Sequence, residues 1–336
     1  MRLWLVLALA CACGNDGVHH LGDGGGDGGT PGSDGGSGGS GGSNLSSPGI
    51  YVTNATTNSV LVFDIDATGD VAPVRTIAGS NTGMALPIGL AVDALNNLYV
   101  ANRTGSAVTV YASDATGDVA PIRTLAADGM GSPEGVAVTA DGSVVATTCP
   151  NCGASAGGDT GAFHFPPGAS TSDEQIVGNA NITEPDAVAI DGAGEIVVGN
   201  AFGGTVATFA AGATGSDEPV RSFTPAGANL QDMTVGSASI FVTTPGGDLE
   251  EFPLGDDGSA TAVTLGSADL SIVFPGGVAI DRTTSPALIY VVDTNGNAIY
   301  VLTTSGSEPD LAIASVRTIT GSNTGLSQPL HVAVVH

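Results

Sequence analysis

Three acidic side chains stand at one place in a recurring phrase. Glu134 follows Pro133 in "PEGVAV", Asp186 follows Pro185 in "PDAVAI", and Asp232 follows Gln231 in "QDMTV". Residues that share a repeat position are carried to one region of a fold. Three converging carboxylates would suit a hard cation such as calcium, which takes about six to eight oxygen ligands. His331, in "PLHVAV", stands one step further along the same phrase and is the best placed candidate base. A cation held there would polarise a carbonyl oxygen, with His331 or an acidic group moving the proton. The alternative is an acidic rim in a chain that is acidic everywhere.

Composition removes several other chemistries. The chain has 336 residues, a formal net charge of -26, a pI near 4.1, and seven basic residues, all arginine. Without lysine there is neither a Schiff-base amine nor a P-loop lysine. The charge repels nucleic acid and anionic lipid headgroups, so neither is expected as a partner. The one tryptophan, Trp4, lies in the first apolar segment, and all five tyrosines fall in predicted strands, which leaves little for a sugar-stacking platform. Beyond the linker only His164, His331 and His336 remain, none in a recognisable arrangement with a Ser or Cys nucleophile.

The chain divides into three parts. Residues 1–13, MRLWLVLALACAC, read as a signal segment: Arg2 is a short positive region and Leu3 to Ala10 an apolar stretch too short to span a bilayer. A small residue precedes each cysteine, which resembles the lipobox of bacterial lipoproteins. Cys13 is the favoured lipidation site and Cys11 the alternative. The family pattern departs in having alanine, not leucine, three residues earlier. The expected place is the cell envelope, anchored in the outer membrane, since Gly14 and not Asp follows Cys13. Residues 14–47 are Gly, Ser and Asp with almost nothing apolar, a flexible tether. Residues 48–336 carry the fold.

There the anchor phrase recurs as "PIGLAVD" at Pro87, "PEGVAVT" at Pro133, "PDAVAID" at Pro185, "QDMTVG" at Gln231, "PGGVAID" at Pro275 and "PLHVAVV" at Pro329. Short Val- and Ile-rich runs separated by Gly, Asn and Asp turns at this spacing predict blades of four strands, an all-β six-bladed β-propeller. The first blade lacks its first strand near Gly49, and the spare one is "PLHVAVVH" at the far end. Pairing the two closes the ring. This explains why "VRTIAGSNTGMALP" from Val74 and "VRTITGSNTGLSQP" from Val316 are so alike: closure makes their blades neighbours.

"PIGLAVD" followed by "LYVAN" resembles the NHL-repeat family of six-bladed propellers over nearly everything after the linker. The resemblance implies the fold and either a binding platform or an enzyme. Calcium-dependent lactonases of the gluconolactonase type use a comparable channel-mouth place, but their first-blade glutamate has no counterpart here, where Leu330 follows Pro329. The same face should carry Asn54, Asn102, Asn200 and Asp293, which end second strands and are expected as binding-loop residues. In "CPNC", Cys149 and Cys152 are expected to form a small-loop disulfide, with a redox pair or metal ligation as alternatives. Asp64 to Gly69 begins like an EF-hand loop but has Arg75 where the bidentate Glu belongs, so a turn is favoured. Arg75, Arg123, Arg221 and Arg317 share one repeat position and are read as structural pairs or packing stems. The favoured function is a non-catalytic binding or scaffolding module, monomeric and without a cofactor. The alternative is a calcium-dependent hydrolase or lactonase.

Overall fold

Alternating apolar residues and closely spaced turns produce short strands whose two faces are both buried. The computed structural model describes residues 48–150, 158–172, 174–177, 181–201, 203–225, 229–265 and 270–336. The signal segment, the linker, Cys11, Cys13 and Cys152 lie outside them. The described strands form six four-stranded antiparallel sheets. The second blade runs β4 (Pro87–Val92), β5 (Leu98–Asn102), β6 (Ala107–Tyr111) and β7 (Arg123–Leu125). The third has β8 (Pro133–Val138), β9 (Val144–Thr148), β10 (Gly161–Phe165) and β11 (Glu174–Val177). The fourth has β12 (Pro185–Ile190), β13 (Ile196–Asn200), β14 (Val206–Phe209) and β15 (Arg221–Phe223). The fifth has β16 (Asp232–Val235), β17 (Ser239–Thr243), β18 (Leu249–Pro253) and β19 (Val263–Thr264). The sixth has β20 (Pro275–Asp281), β21 (Leu288–Asp293), β22 (Ala298–Ser307) and β23 (Asp310–Thr320).

The first blade is made from both ends of this region. It comprises β1 (Gly49–Asn54), β2 (Ser59–Asp64), β3 (Arg75–Ala78) and the last strand, β24 (Pro329–Val335), in the order β24-β1-β2-β3. Gly49 pairs with Val335, Tyr51 with Ala333 and Asn54 with Pro329. The inner strands then touch in turn, β4 to β8, β12, β16, β20, β24 and back to β4, so the ring is closed.

Six apolar clusters fill the six seams. Tyr51, Val60 and Val62 of the first blade meet Leu90, Leu98 and Val100 of the second, and equivalent clusters recur around the ring. Each fully buried Val or Leu contributes about 1.5–3 kcal/mol relative to exposure. The seams are therefore the core, and no blade can bury both faces without two neighbours.

Polar clasps tie seams together at the rim. Arg75 donates to Ser113 O of the next blade at 2.8 Å and to Tyr51 Oη at 2.5 Å, over whose ring it lies. Arg317 does the same to Ile65 O, at 2.6 Å, and Ala67 O. The recurring arginine is thus structural at these positions. The "GSNTG" turns are a second clasp. Asn81 donates its backbone and side-chain N–H to Asp118 of the next blade at 2.7 and 3.0 Å, and Asn323 donates identically to Asp70. Gly79 and Gly321 have φ of +133° and +131°, and a Cβ on either would sit 2.3 Å from the partner aspartate. The Asp64–Gly69 segment is the turn between β2 and β3, its Asp64 Oδ1 accepting from Asp66 N.

Every P-x-G anchor sits at an irregularity in the inner strand. Register shifts fall between Pro87 and Leu90, Pro133 and Val136, Pro185 and Ala187, and Pro275 and Val278. A bulge re-aims one side chain and leaves backbone groups without ladder partners. Threonines of the second strands supply some of them: Gly135 N donates to Thr147 Oγ1, and His331 N to Thr53 Oγ1.

Candidate functional site

The bulged anchors bring a set of charged side chains to one end of the central channel. Glu134 comes from β8, Asp186 from β12, Asp232 from the start of β16 and His331 from β24. The structure adds Arg103, the residue after β5. Its Nε donates to both oxygens of Glu134, at 2.7 and 2.9 Å, and its Nη2 donates to Oε2 at 2.5 Å. Nη2 also lies 4.0 Å from Asp186 Oδ1. His331 Nε2 is 3.2 Å from Asp232 Oδ2, which also accepts from Val278 N at 2.8 Å. Five blades therefore contribute side chains to one charged chain, and β20 of the sixth, between β16 and β24, contributes the Val278 N–H.

Burial and mutual repulsion govern how it titrates. The Glu134 side chain is 0% exposed, and its carboxyl is pushed up to about 8, by burial first and by Asp186 second, with Arg103 offsetting part of this. Asp186 is pushed up to about 6, by burial first. Arg103 pulls it down and Asp232 pushes it up. Two carboxyls this close share a proton more readily than both ionise. Burial pulls the His331 imidazole down, but Asp232 and then Asp186 outweigh it, and the net shift is upward.

This arrangement does not fit a calcium ion. The Arg103 guanidinium sits on Glu134 and beside Asp186, a fixed cation where a metal's charge would lie. Among the described residues no three His, Cys, Asp or Glu side chains are grouped to hold a metal. Hard cations need several unshared oxygens, and here those oxygens face an arginine and a histidine. His331 does have a base-like setting, oriented by Asp232, and its Nδ1 is buried without a hydrogen-bond partner.

The four residues expected to face a ligand are instead inside the blades. Asn54, Asn102, Asn200 and Asp293 are each at most 1% exposed. Each accepts the N–H two residues before an anchor proline: Ser327 to Asn54, Ala85 to Asn102, Thr183 to Asn200 and Val273 to Asp293. They recur because every blade must pin the loop entering its first strand. Cys149 is buried just after β9, and its N–H donates to Ser132 O.

No protein-family model matches the chain, and no curated protein matches it in sequence. Solved structures do share its fold. A protein of unknown function from Bacteroides caccae superposes with a TM-score of 0.58 at 9% identity, over 86% of this chain and 99% of that one. A chain of the nidogen/laminin complex gives 0.59 at 11%, over 85% and 98%. At such identity the likeness shows the fold alone.

Glu134, Asp186 and His331 all bind a proton more tightly folded than unfolded. The two carboxyls' contribution to stability is complete below their ordinary values of 4.5 and 3.8 and is lost as pH rises through about 8 and about 6, while that of His331 is complete below 6.5 and is lost above it. The thermal midpoint should therefore fall between pH 5 and pH 8.5, and Glu134→Gln should flatten that fall. A variant with the same pH slope as the parent would show that the buried pair does not titrate in this window.

Proposed function

We propose that this chain is an exported, lipid-anchored propeller of NHL type that works as a non-catalytic binding module through its channel-mouth face. The observation that carries this reading is the pairing at the mouth. Arg103 with Glu134, and His331 with Asp232, neutralise one another across blades. Side chains engaged in this way form a charged recognition surface, and no nucleophile stands among them. Arg103, Asp186 and His331 keep 21%, 19% and 18% of their side chains exposed, enough for a partner to touch. The lipobox-like start, with Cys13 or alternatively Cys11 acylated, and the Gly/Ser/Asp tether would hold the ring away from a membrane. A Cys149–Cys152 disulfide suits that compartment.

The calcium-dependent hydrolase is the reading that the arginine favours less. A cation that binds only the folded state raises the thermal midpoint by mass action. Melting the full chain with millimolar calcium and then with EDTA should give the same midpoint. A calcium-dependent rise that Asp186→Ala abolishes would restore the metalloenzyme and justify a screen of lactones and esters.

Anchoring has its own test. In a bacterial host with an outer membrane, the parent should partition into the detergent phase on phase separation, and Cys13→Ala should move it to the aqueous phase. Loss of anchoring in Cys11→Ala alone would assign the lipid to Cys11. Aqueous partitioning of the parent would remove the anchor from the account.

A further inference from the structure

The arginine clasp is made after the first and sixth blades, while Arg221 pairs with Glu195 of its own blade. Arg75 and Arg317 reach carbonyl oxygens in the turn of the following blade. Arg123, at the same repeat position in β7, does not. Its Nη2 donates to Tyr99 Oη at 2.9 Å and its guanidinium lies 5.6 Å from that ring's centre, and among the described residues it takes no other hydrogen bond. The turn that should receive it reads Phe165-Pro166-Pro167-Gly168, in place of the Tyr111-Ala112-Ser113-Asp114 that meets Arg75. A backbone bond, Ala126 N to Ser170 O at 3.1 Å, ties the blades at this rim.

A groove of about 390 Å³ occupies the gap between the second and third blades, on the side away from the channel-mouth cluster. Arg123, Tyr99, Ile122, Asp93, Asp141 and Pro167 line it. The two aspartates are already engaged. Asp93 accepts from Leu95 N and Asn97 N at 2.8 Å and from Tyr99 Oη at 3.2 Å. Asp141 accepts from Ser143 N at 3.0 Å and from the Thr139 hydroxyl. Arginine has five N–H donors in a planar fork, and Arg123 uses one. Ile122, 60% exposed beside it, offers an apolar wall.

We propose that this groove is a binding site for a small organic carboxylate with an apolar body. The carboxylate takes the open edge of the Arg123 fork, where two parallel N–H···O bonds match its geometry. Tyr99 fixes the guanidinium from beneath, and the apolar body lies along Ile122 and Pro167. The volume suits a ligand of that size. The site is independent of the channel-mouth reading.

Calorimetric titration of the full chain with hippurate tests it, with hippuramide, the neutral amide of the same shape, and inorganic phosphate as comparisons. One saturable site for hippurate is expected, with no measurable binding of hippuramide. Arg123→Gln should weaken it by about tenfold or more, and Arg123→Lys should also weaken it because the fork is lost. Should Arg123→Gln fail to fold, Ile122→Asp at its exposed position should weaken binding by charge repulsion. The proposal is overturned by absent saturation, by equal binding of hippuramide, by phosphate binding as tightly as hippurate, or by undiminished affinity in Ile122→Asp.

Discussion

A ring of sheets is stable only when it has no first and last blade. Each blade here is apolar on both faces, and each of the six clusters needs residues from two neighbours. An open arc would expose two such faces and the unpaired edge of β1. The pairing of β1 with β24 removes both liabilities together, because it completes a sheet and places β24 between β20 and β4. His336 Nε2 reaches Asp281 of the sixth blade at 2.7 Å, and His331 reaches Asp232 of the fifth. The closing strand is thus tied by its ladder, by its seams and by a polar contact towards each end.

Closure also sets how near the inner strands come. A Cβ on Gly89 would lie 2.3 Å from Glu134 O, and one on Gly277 would lie 2.5 Å from the His331 Cα. The bulged P-x-G anchor meets both demands of the channel. Its glycine, where present, allows backbone against backbone, and the second anchor residue, as at Glu134, Asp186 and Asp232, is turned towards the mouth. The charged chain from Arg103 to His331 is a consequence of that geometry, and its raised proton affinities follow from gathering three carboxylates where water is scarce.

Much of this was legible because the information repeats. Period-two runs and turn residues give strands, six anchors give six blades, and the spare strand at Pro329 gives the closure. Glu134, Asp186, Asp232 and His331 could be brought together because they share a repeat phrase. Arg103 could not. It is a departure from the repeat in a loop, next to Asn102, and only the approach of β5 to β8 gives it a partner. Its one signal was that it does not join Arg75, Arg123, Arg221 and Arg317. The asparagines misled for the opposite reason: a polar residue that recurs in most blades answers a need every blade has, here a loop N–H to be satisfied. The function of the "GSNTG" turns was likewise hidden, since Asp70 and Asp118 lie far from their partners in sequence.

Closure by the last strand is the claim on which the rest stands, and native-state amide hydrogen exchange tests it most directly. If β24 is an integral inner strand, those amides between Val332 and Val335 that bond to β1 will open only with the whole ring, in the same slow class as the bonded amides of β5 and β21. Exchange of β24 amides orders of magnitude faster than those strands, as from a frayed end, would contradict the account.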